Sequence, residues 1–295
     1  MLKPEHLFQP RRFLSRFVRT PDPRSPTARL SFGFDLSVMP DDMMSNSIRR
    51  NGMFDIVTAE VLYRLLDEGE HGLDVGAHVG LMSVVMALRV GCGGRVRSLE
   101  PHPQIFPRLR ANADRLNSTL RCDVMRPIPA AASGAVGHQR LLISDDWQGN
   151  TGTAKLAVAG AGTATAGVLV ECVALDDLLH DGFRPSVIKL DVEGHELAAL
   201  GGANDVLSRS ARDIVFEDFG VYPTPVMSLL EEKGYTVLAL SRSLRRPKLS
   251  SPDRKGVSPR ADPNYLATRD RERAIARINA AGWNVLRRRP ALAET

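Results

Sequence analysis

The stretch Gly72-Leu-Asp-Val-Gly-Ala-His-Val-Gly80 decides how this chain folds. It closes a short apolar run, residues 71–75, that reads as a buried strand. It opens a second run, residues 81–89, that is apolar on most faces and reads as a helix. Gly76 lets the chain bend where a Cβ would clash, and Gly80 lets a ligand approach the first helical turn. The helix then offers unpaired N–H groups and the positive end of its dipole to whatever lies above the turn. Strand, glycine turn and helix in this order begin a βαβ unit, and open α/β sheets bind ligands at the carboxyl ends of their strands.

Spacing narrows the ligand. A dinucleotide fingerprint is G-x-G-x-x-G, whereas Ala77, His78 and Val79 separate the two glycines here. Such a turn keeps the backbone too far from a pyrophosphate. A ligand without phosphates, such as S-adenosylmethionine, fits better. Arg95-Val-Arg-Ser-Leu-Glu100 reads as the next strand ending in an acid, and an acid there can accept both hydroxyls of a ribose.

Three segments together resemble the FkbM-type methyltransferases: Asp74-Val-Gly-Ala-His-Val-Gly80, Leu99-Glu-Pro-His-Pro103 with Asn112, and Ile188-Lys-Leu-Asp-Val-Glu-Gly-His-Glu196. The resemblance runs from about Ile48 to Leu266, and its last motif is the most specific. It implies S-adenosyl-L-methionine as cofactor, held by Asp74, Gly76, Ala77, His78, Val79, Gly80, Glu100, Pro101, His102 and Ala131, with Asp191 near the reactive methyl. The segment Ala130-Ala-Ala-Ser133 matches the small-residue stretch that passes the adenine in that family. One departure stands out: the family usually has Asn where this chain has His78. The implied reaction is O-methylation of a hydroxyl on a sugar or natural product, with a small-molecule or glycan acceptor.

Alternating strand and helix patterns predict an α/β fold, and the resemblance implies that it is of the class I methyltransferase, Rossmann-like type. Its sheet is doubly wound, mostly parallel and seven-stranded, with an antiparallel last strand. Residues 48–295 read as a single domain after an N-terminal arm and lead-in, residues 1–47. The arm is rich in Arg and Pro, and residues 31–39 alternate as a lead-in strand. Helices are expected over 56–66, packed on the sheet edge, and over 103–116, with Pro103 at the start. Residues 121–131 supply the third strand. Residues 139–144 and 168–173 read as an antiparallel pair around a flexible insert, 145–167. In the family this insert borders the active site, so the resemblance makes Asn150 and Thr151 substrate-side candidates. A basic, Pro/Ser-rich surface loop is expected over 242–262 before the final strand at 264–267.

Methyl transfer to a hydroxyl is helped by a general base. Asp191, Glu193, His195 and Glu217 fall at adjacent strand ends and are the catalytic candidates. Asp191 reads alternatively as a helix N-cap, His195 as a surface residue at a helix start, and Glu217 as a partner for Lys189. Lys189 leaves the same strand face as Asp191, so a buried Lys–acid pair is expected. No metal is called for, although Asp191, Glu193, Glu217 and Asp218 are oxygen ligands of the kind Mg²⁺ accepts.

Composition bounds the alternatives. The formal charge is +5, and only six of the 39 basic residues are lysine. With aromatics at 5%, the interleaved basic and aromatic surface of a nucleic-acid binder is not expected. The Asp-Pro-Pro-aromatic motif that stacks a flipped base is also absent after Asp191. No apolar run spans a membrane, and no signal-type apolar run opens the chain. Cys92, Cys122 and Cys172 read as neither a disulfide framework nor a zinc site, which suggests a reduced, cytoplasmic setting. The rival functions are a NAD-dependent oxidoreductase, against which the glycine spacing weighs, and a cofactor-binding module without catalysis.

Overall fold

The computed structural model describes residues 4, 22–143, 151, 154–156, 167–253 and 263–287. The chain opens with β1 (Thr27–Arg29) and β2 (Asp35–Ser37), an antiparallel hairpin, followed by helices Met43–Asn51 and Ile56–Leu65. Then come β3 (His71–Val75), helix Leu81–Val90, β4 (Arg95–Leu99), helix Phe106–Leu120 and β5 (Met125–Ile128). A side sheet is built from β6 (Ala130–Ala132), β7 (Gly137–Leu142), β8 (Lys155–Leu156) and β9 (Val168–Val173). The main sheet resumes with β10 (Pro185–Leu190) and β11 (Asp213–Glu217), then β12 (Thr236–Arg242), β13 (Pro247–Ser250) and β14 (Asn264–Thr268). Its order is β13-β12-β14-β11-β10-β3-β4-β5. The strand order turns back between β3 and β10, where such sheets place their ligand crevice.

The sheet thus has eight strands, not seven. The extra one, β13, forms inside the stretch read as a surface loop and pairs antiparallel with β12. The last strand, β14, is antiparallel to both of its neighbours, as expected. Helix Phe106–Leu120 begins three residues later than the pattern suggested, at a first turn holding Pro107 rather than Pro103. The third-strand segment splits: β5 stays in the main sheet while β6 pairs with β9 in the side sheet. The predicted antiparallel pair is present as β7 and β9. Helix Asn204–Arg209 has no counterpart in the sequence reading. Asn150 and most of the insert lie outside the described residues, as does 254–262.

The lead-in is not one strand on a free arm. Leu30, Phe32, Phe34, Leu36 and Val38 are buried in the core shared with Ile56–Leu65 and Leu81–Val90. Asn112 fixes it there: its Oδ1 accepts from Ser37 N at 2.7 Å, and its Nδ2 donates to Ser37 O at 2.9 Å and Val79 O at 2.8 Å. One buried amide thus ties the hairpin to the glycine turn. Cys92 and Cys122, each in the turn after a helix, also meet at one end of the sheet. They form a disulfide with Cα atoms 5.7 Å apart, within normal disulfide geometry. This corrects the expectation that the cysteines form no disulfide, because β4 and helix Phe106–Leu120 separate the pair in the chain.

Helix Ile56–Leu65 packs across the sheet face as far as its edge, touching β10, β11 and β12 and the edge strand β13. Its Glu60–Arg64 pair, 2.6 Å apart and almost fully buried, closes the C-terminal end over it. Arg64 donates to the carbonyls of Arg277, Ile278, Ala280 and Gly282. Glu60 accepts from Asn284 Nδ2 and Val285 N. Removing one member of a buried pair leaves the other uncompensated, which costs about 3–5 kcal/mol. Glu60→Ala is therefore expected to lower Tm by about 2–4 °C for each kcal/mol lost. Calorimetry showing an unchanged Tm would mean that the C-terminal segment contributes no stability.

Candidate functional site

The carboxyl ends of β3, β4, β10 and β11 surround one cavity of about 510 Å³. Gly76, Ala77 and His78 line it from the glycine turn, Glu100, Pro101 and His102 from the end of β4, and Ala131 from β6. Asp191, Glu193 and Glu217 line it from the ends of β10 and β11. Asp74, Val79, Gly80 and His195 do not line it.

The two glycines serve neighbours within the fold. A Cβ on Gly76, whose φ is +79°, would lie 1.9 Å from the carbonyl oxygen of Asp191. The turns after β3 and β10 can meet only because that Cβ is missing. A Cβ on Gly80, at φ +90°, would lie 2.7 Å from Leu109 Cδ1 and 3.0 Å from Met125 Cε. Gly80 therefore admits helix Phe106–Leu120 and β5 rather than a ligand.

Lys189 joins the same two turns. Its ammonium donates to Gly76 O at 2.6 Å and sits 3.1 Å from Asp191 Oδ2 and 3.6 Å from Asp74 Oδ1. Burial opposes this charge, but Asp191 and Asp74 outweigh it and push its pKa up. The expected Lys–acid pair is thus formed with Asp191 and Asp74; Glu217 is not one of its ion-pair partners. Asp74 is fully buried and accepts from Ser83 Oγ at 2.6 Å, so it acts beneath the cavity floor.

Glu100 accepts His78 N at 2.9 Å on Oε2 and His102 N at 2.8 Å on Oε1. Burial raises its pKa to about 7, against those two N–H donors. A carboxylate oxygen has room for a further donor, so Glu100 is suited to a diol. His78 stands in a left-handed conformation at φ 53°. Its Nε2 is 2.7 Å from Thr151 Oγ1, which in turn is 2.9 Å from Asp42 Oδ1.

The acid cluster faces this half of the site. Asp191, Glu193 and Glu217 each offer an oxygen, all within 4.8 Å of one another. Burial and then Asp191 raise Glu193 to about 7. Burial, then Asp191, Glu193 and Asp55, raise Glu217 to about 8. Like charges in a half-buried cleft thus leave two carboxyls titrating near neutrality. Asp218 turns away to accept from Gly220 N and Thr224 Oγ1. The remaining three are spaced as hard ligands for a divalent cation, but an acidic cluster by itself assigns no ion. His195 occupies the N-cap position of the helix Glu196–Gly201 without a side-chain capping bond, and its Nε2 lies 3.4 Å from Ser133 Oγ.

Several lining residues escaped the sequence reading. Asp55 caps helix Ile56–Leu65, accepting from Thr58 N at 3.2 Å and Asn264 Nδ2 at 3.2 Å. The Asp55-x-x-Thr58 pattern before an apolar helix was its available signal. Met43, Phe54 and Phe219 add apolar wall, with Met43 and Phe219 exposed. Nothing in their local sequence marks them, because they reach the cavity through tertiary packing.

Lys189→Met should leave Asp74 buried without its cation, at a cost of about 3–5 kcal/mol in urea unfolding. Adding Asp74→Asn should recover part of that loss. Two losses that simply add would show that Lys189 and Asp74 are not coupled.

A family model described as methyltransferase FkbM domain matches residues 74–237. Hexuronic acid methyltransferase AglP of Haloferax volcanii is 30% identical over 178 residues, which cover 59% of this chain and 67% of that protein. Among solved structures, methyltransferase FkbM from Methylobacillus flagellatus KT gives a TM-score of 0.44 at 19% identity. That comparison covers 69% of this chain and 44% of the other, so this chain spans less than half of the Methylobacillus protein. The O-methyltransferase of Bacillus cereus in complex with S-adenosylhomocysteine gives 0.39 at 14% identity, covering 72% and 78%. With more than half of its residues matched, from Asp74 at the glycine turn to Val237 in β12, this chain belongs to the FkbM methyltransferase family.

Proposed function

We propose that this methyltransferase uses S-adenosyl-L-methionine to methylate a hydroxyl of a sugar or sugar-like natural product. The observation that carries the reading is the pair Glu193 and Glu217. Both titrate near neutrality and open onto the cavity that also holds the glycine turn and Glu100. The sugar class is supported by the relative whose name assigns it a hexuronic acid.

The residues present fit the cofactor. Glu100 has acceptor capacity beyond its two backbone donors, Ala131 leaves room for a flat ring, and His78 Nδ1 is buried with no hydrogen-bond partner among the described residues. When bound, the cofactor supplies an activated methyl on a positively charged sulfonium. The chain's own part is to hold donor and acceptor in line and to take the hydroxyl proton. Glu193 takes that proton on its carboxylate. Glu217 accepts a hydrogen bond from a neighbouring hydroxyl and orients the acceptor. Asp191, held by Lys189, keeps negative charge beside the site. Phe54 and Phe219 supply an apolar wall against which a ring can lie.

A base works only when deprotonated, so activity should rise with pH through about 7, the value to which Glu193 is raised. Glu193→Gln is expected to lower kcat by about 10²–10⁴-fold while leaving the Kd for S-adenosylhomocysteine unchanged in calorimetry. Equal losses in both would make Glu193 structural. S-adenosylhomocysteine at about 100 times its Kd should add about 2.7 kcal/mol of stability, and NAD none. Glu100→Ala should remove most of that thermal shift. A shift with NAD alone would overturn the cofactor assignment.

A further inference from the structure

The proton directions around His78 can be worked out from its partners. Asp42 Oδ1 accepts from both Thr151 N at 3.0 Å and Thr151 Oγ1 at 2.9 Å, and Asp42 Oδ2 accepts from Ser45 N and Ser45 Oγ at 2.8 Å each. Burial opposes the Asp42 charge, but the N–H groups of Thr151 and Ser45 outweigh it, so its pKa is lowered. An ionised carboxylate only accepts. Thr151 therefore spends its one hydroxyl proton on Asp42. Toward His78 Nε2, 2.7 Å away, the Thr151 oxygen can offer only a lone pair. The proton between them belongs to His78, which fixes the Nε2–H tautomer and leaves Nδ1 bare.

That bare Nδ1 is buried, and no described group donates to it. His78 does not escape by taking a second proton, since burial lowers its pKa to about 4. The charged groups acting on it are Asp42, Lys189 and Asp191, with His102 beside them. A buried acceptor left unpaired is costly, and this one belongs to a residue that lines the cavity.

We propose that Asp42 and Thr151 hold His78 in its Nε2–H tautomer so that Nδ1 accepts a hydrogen bond from the α-ammonium group of the bound cofactor. This rests on the S-adenosylmethionine reading above and adds a positioning chain to it, Asp42 to Thr151 to His78. The ammonium is the donor on the cofactor's amino-acid end that suits a bare nitrogen acceptor, because a carboxylate there would repel it.

The test compares S-adenosylhomocysteine with its analogue lacking the α-amino group, by calorimetry on the full chain. The wild type should bind the parent compound about tenfold more tightly, a difference worth about 1.4 kcal/mol. His78→Ala should lose that tenfold and leave the deaminated analogue's Kd nearly unchanged. His78→Asn, which can still accept, should restore part of the preference. Thr151→Val should reduce it by releasing the tautomer. Nitrogen-15 NMR of the wild type should show the proton on Nε2, with the Nδ1 resonance shifting when S-adenosylhomocysteine binds. An Nδ1–H tautomer, or equal weakening of both ligands by His78→Ala, would overturn the proposal while leaving the cofactor site intact. Failure of the wild type to bind either ligand would overturn the cofactor reading itself, and this inference with it.

Discussion

A single buried ammonium organises the ligand-binding end of the sheet. Lys189 sits where the strand order reverses, between β3 and β10, and bonds to groups on both turns. Removing a charge from water costs several kcal/mol, and it is tolerated here because Asp74, Asp191 and the Gly76 carbonyl surround it. Gly76 is required by the same closeness, since the turns could not approach with a Cβ in the gap. The glycine and the lysine are two answers to one constraint: the ends of two parallel strands must touch for the cavity to have a floor.

Once Lys189 has been drawn to Asp191 and Asp74, the acids farther out lack an equal partner. Glu193 and Glu217 share a cleft with Asp191, whose charge makes ionisation of both harder, and Glu193 adds to the effect on Glu217. Their pKa values are raised first by burial and then by Asp191, and the lowering pull of Lys189 does not offset these two. A group meant to exchange a proton at neutral pH needs this kind of frustration, whereas a fully neutralised cluster would not supply it. Glu100 reaches a similar value by a different route, burial against two backbone donors, and its geometry suits holding rather than proton transfer.

The parts legible in the sequence were those encoded locally. The strand–turn–helix at 71–90 and the acids ending β4, β10 and β11 fall where the pattern puts them, because period and punctuation are properties of neighbours in the chain. The Lys189–Asp191 pairing was legible from their two-residue spacing on one strand. The purpose of Gly80 was misread: a positive φ can be inferred from sequence, but the atoms above it, Leu109 and Met125, come from elsewhere. The disulfide, the eighth strand and the burial of the lead-in were hidden for the same reason. Phe32 and Phe34 reveal a core position only when helices Ile56–Leu65 and Leu81–Val90 are packed beside them.

The lead-in also changes what counts as the site. Asp42 caps the helix Met43–Asn51 and at the same time anchors Thr151, which belongs to the insert far along the chain. Thr151 then reaches His78 in the glycine turn. Three segments distant in sequence are thus tied by one carboxylate whose four hydrogen bonds are all accepted, none donated. Since an ionised carboxylate can only accept, the direction of every proton along this path is set at its Asp42 end. The polarity of the glycine turn is consequently decided by a residue outside the strand–turn–helix stretch, in a segment whose local sequence looks like a surface arm.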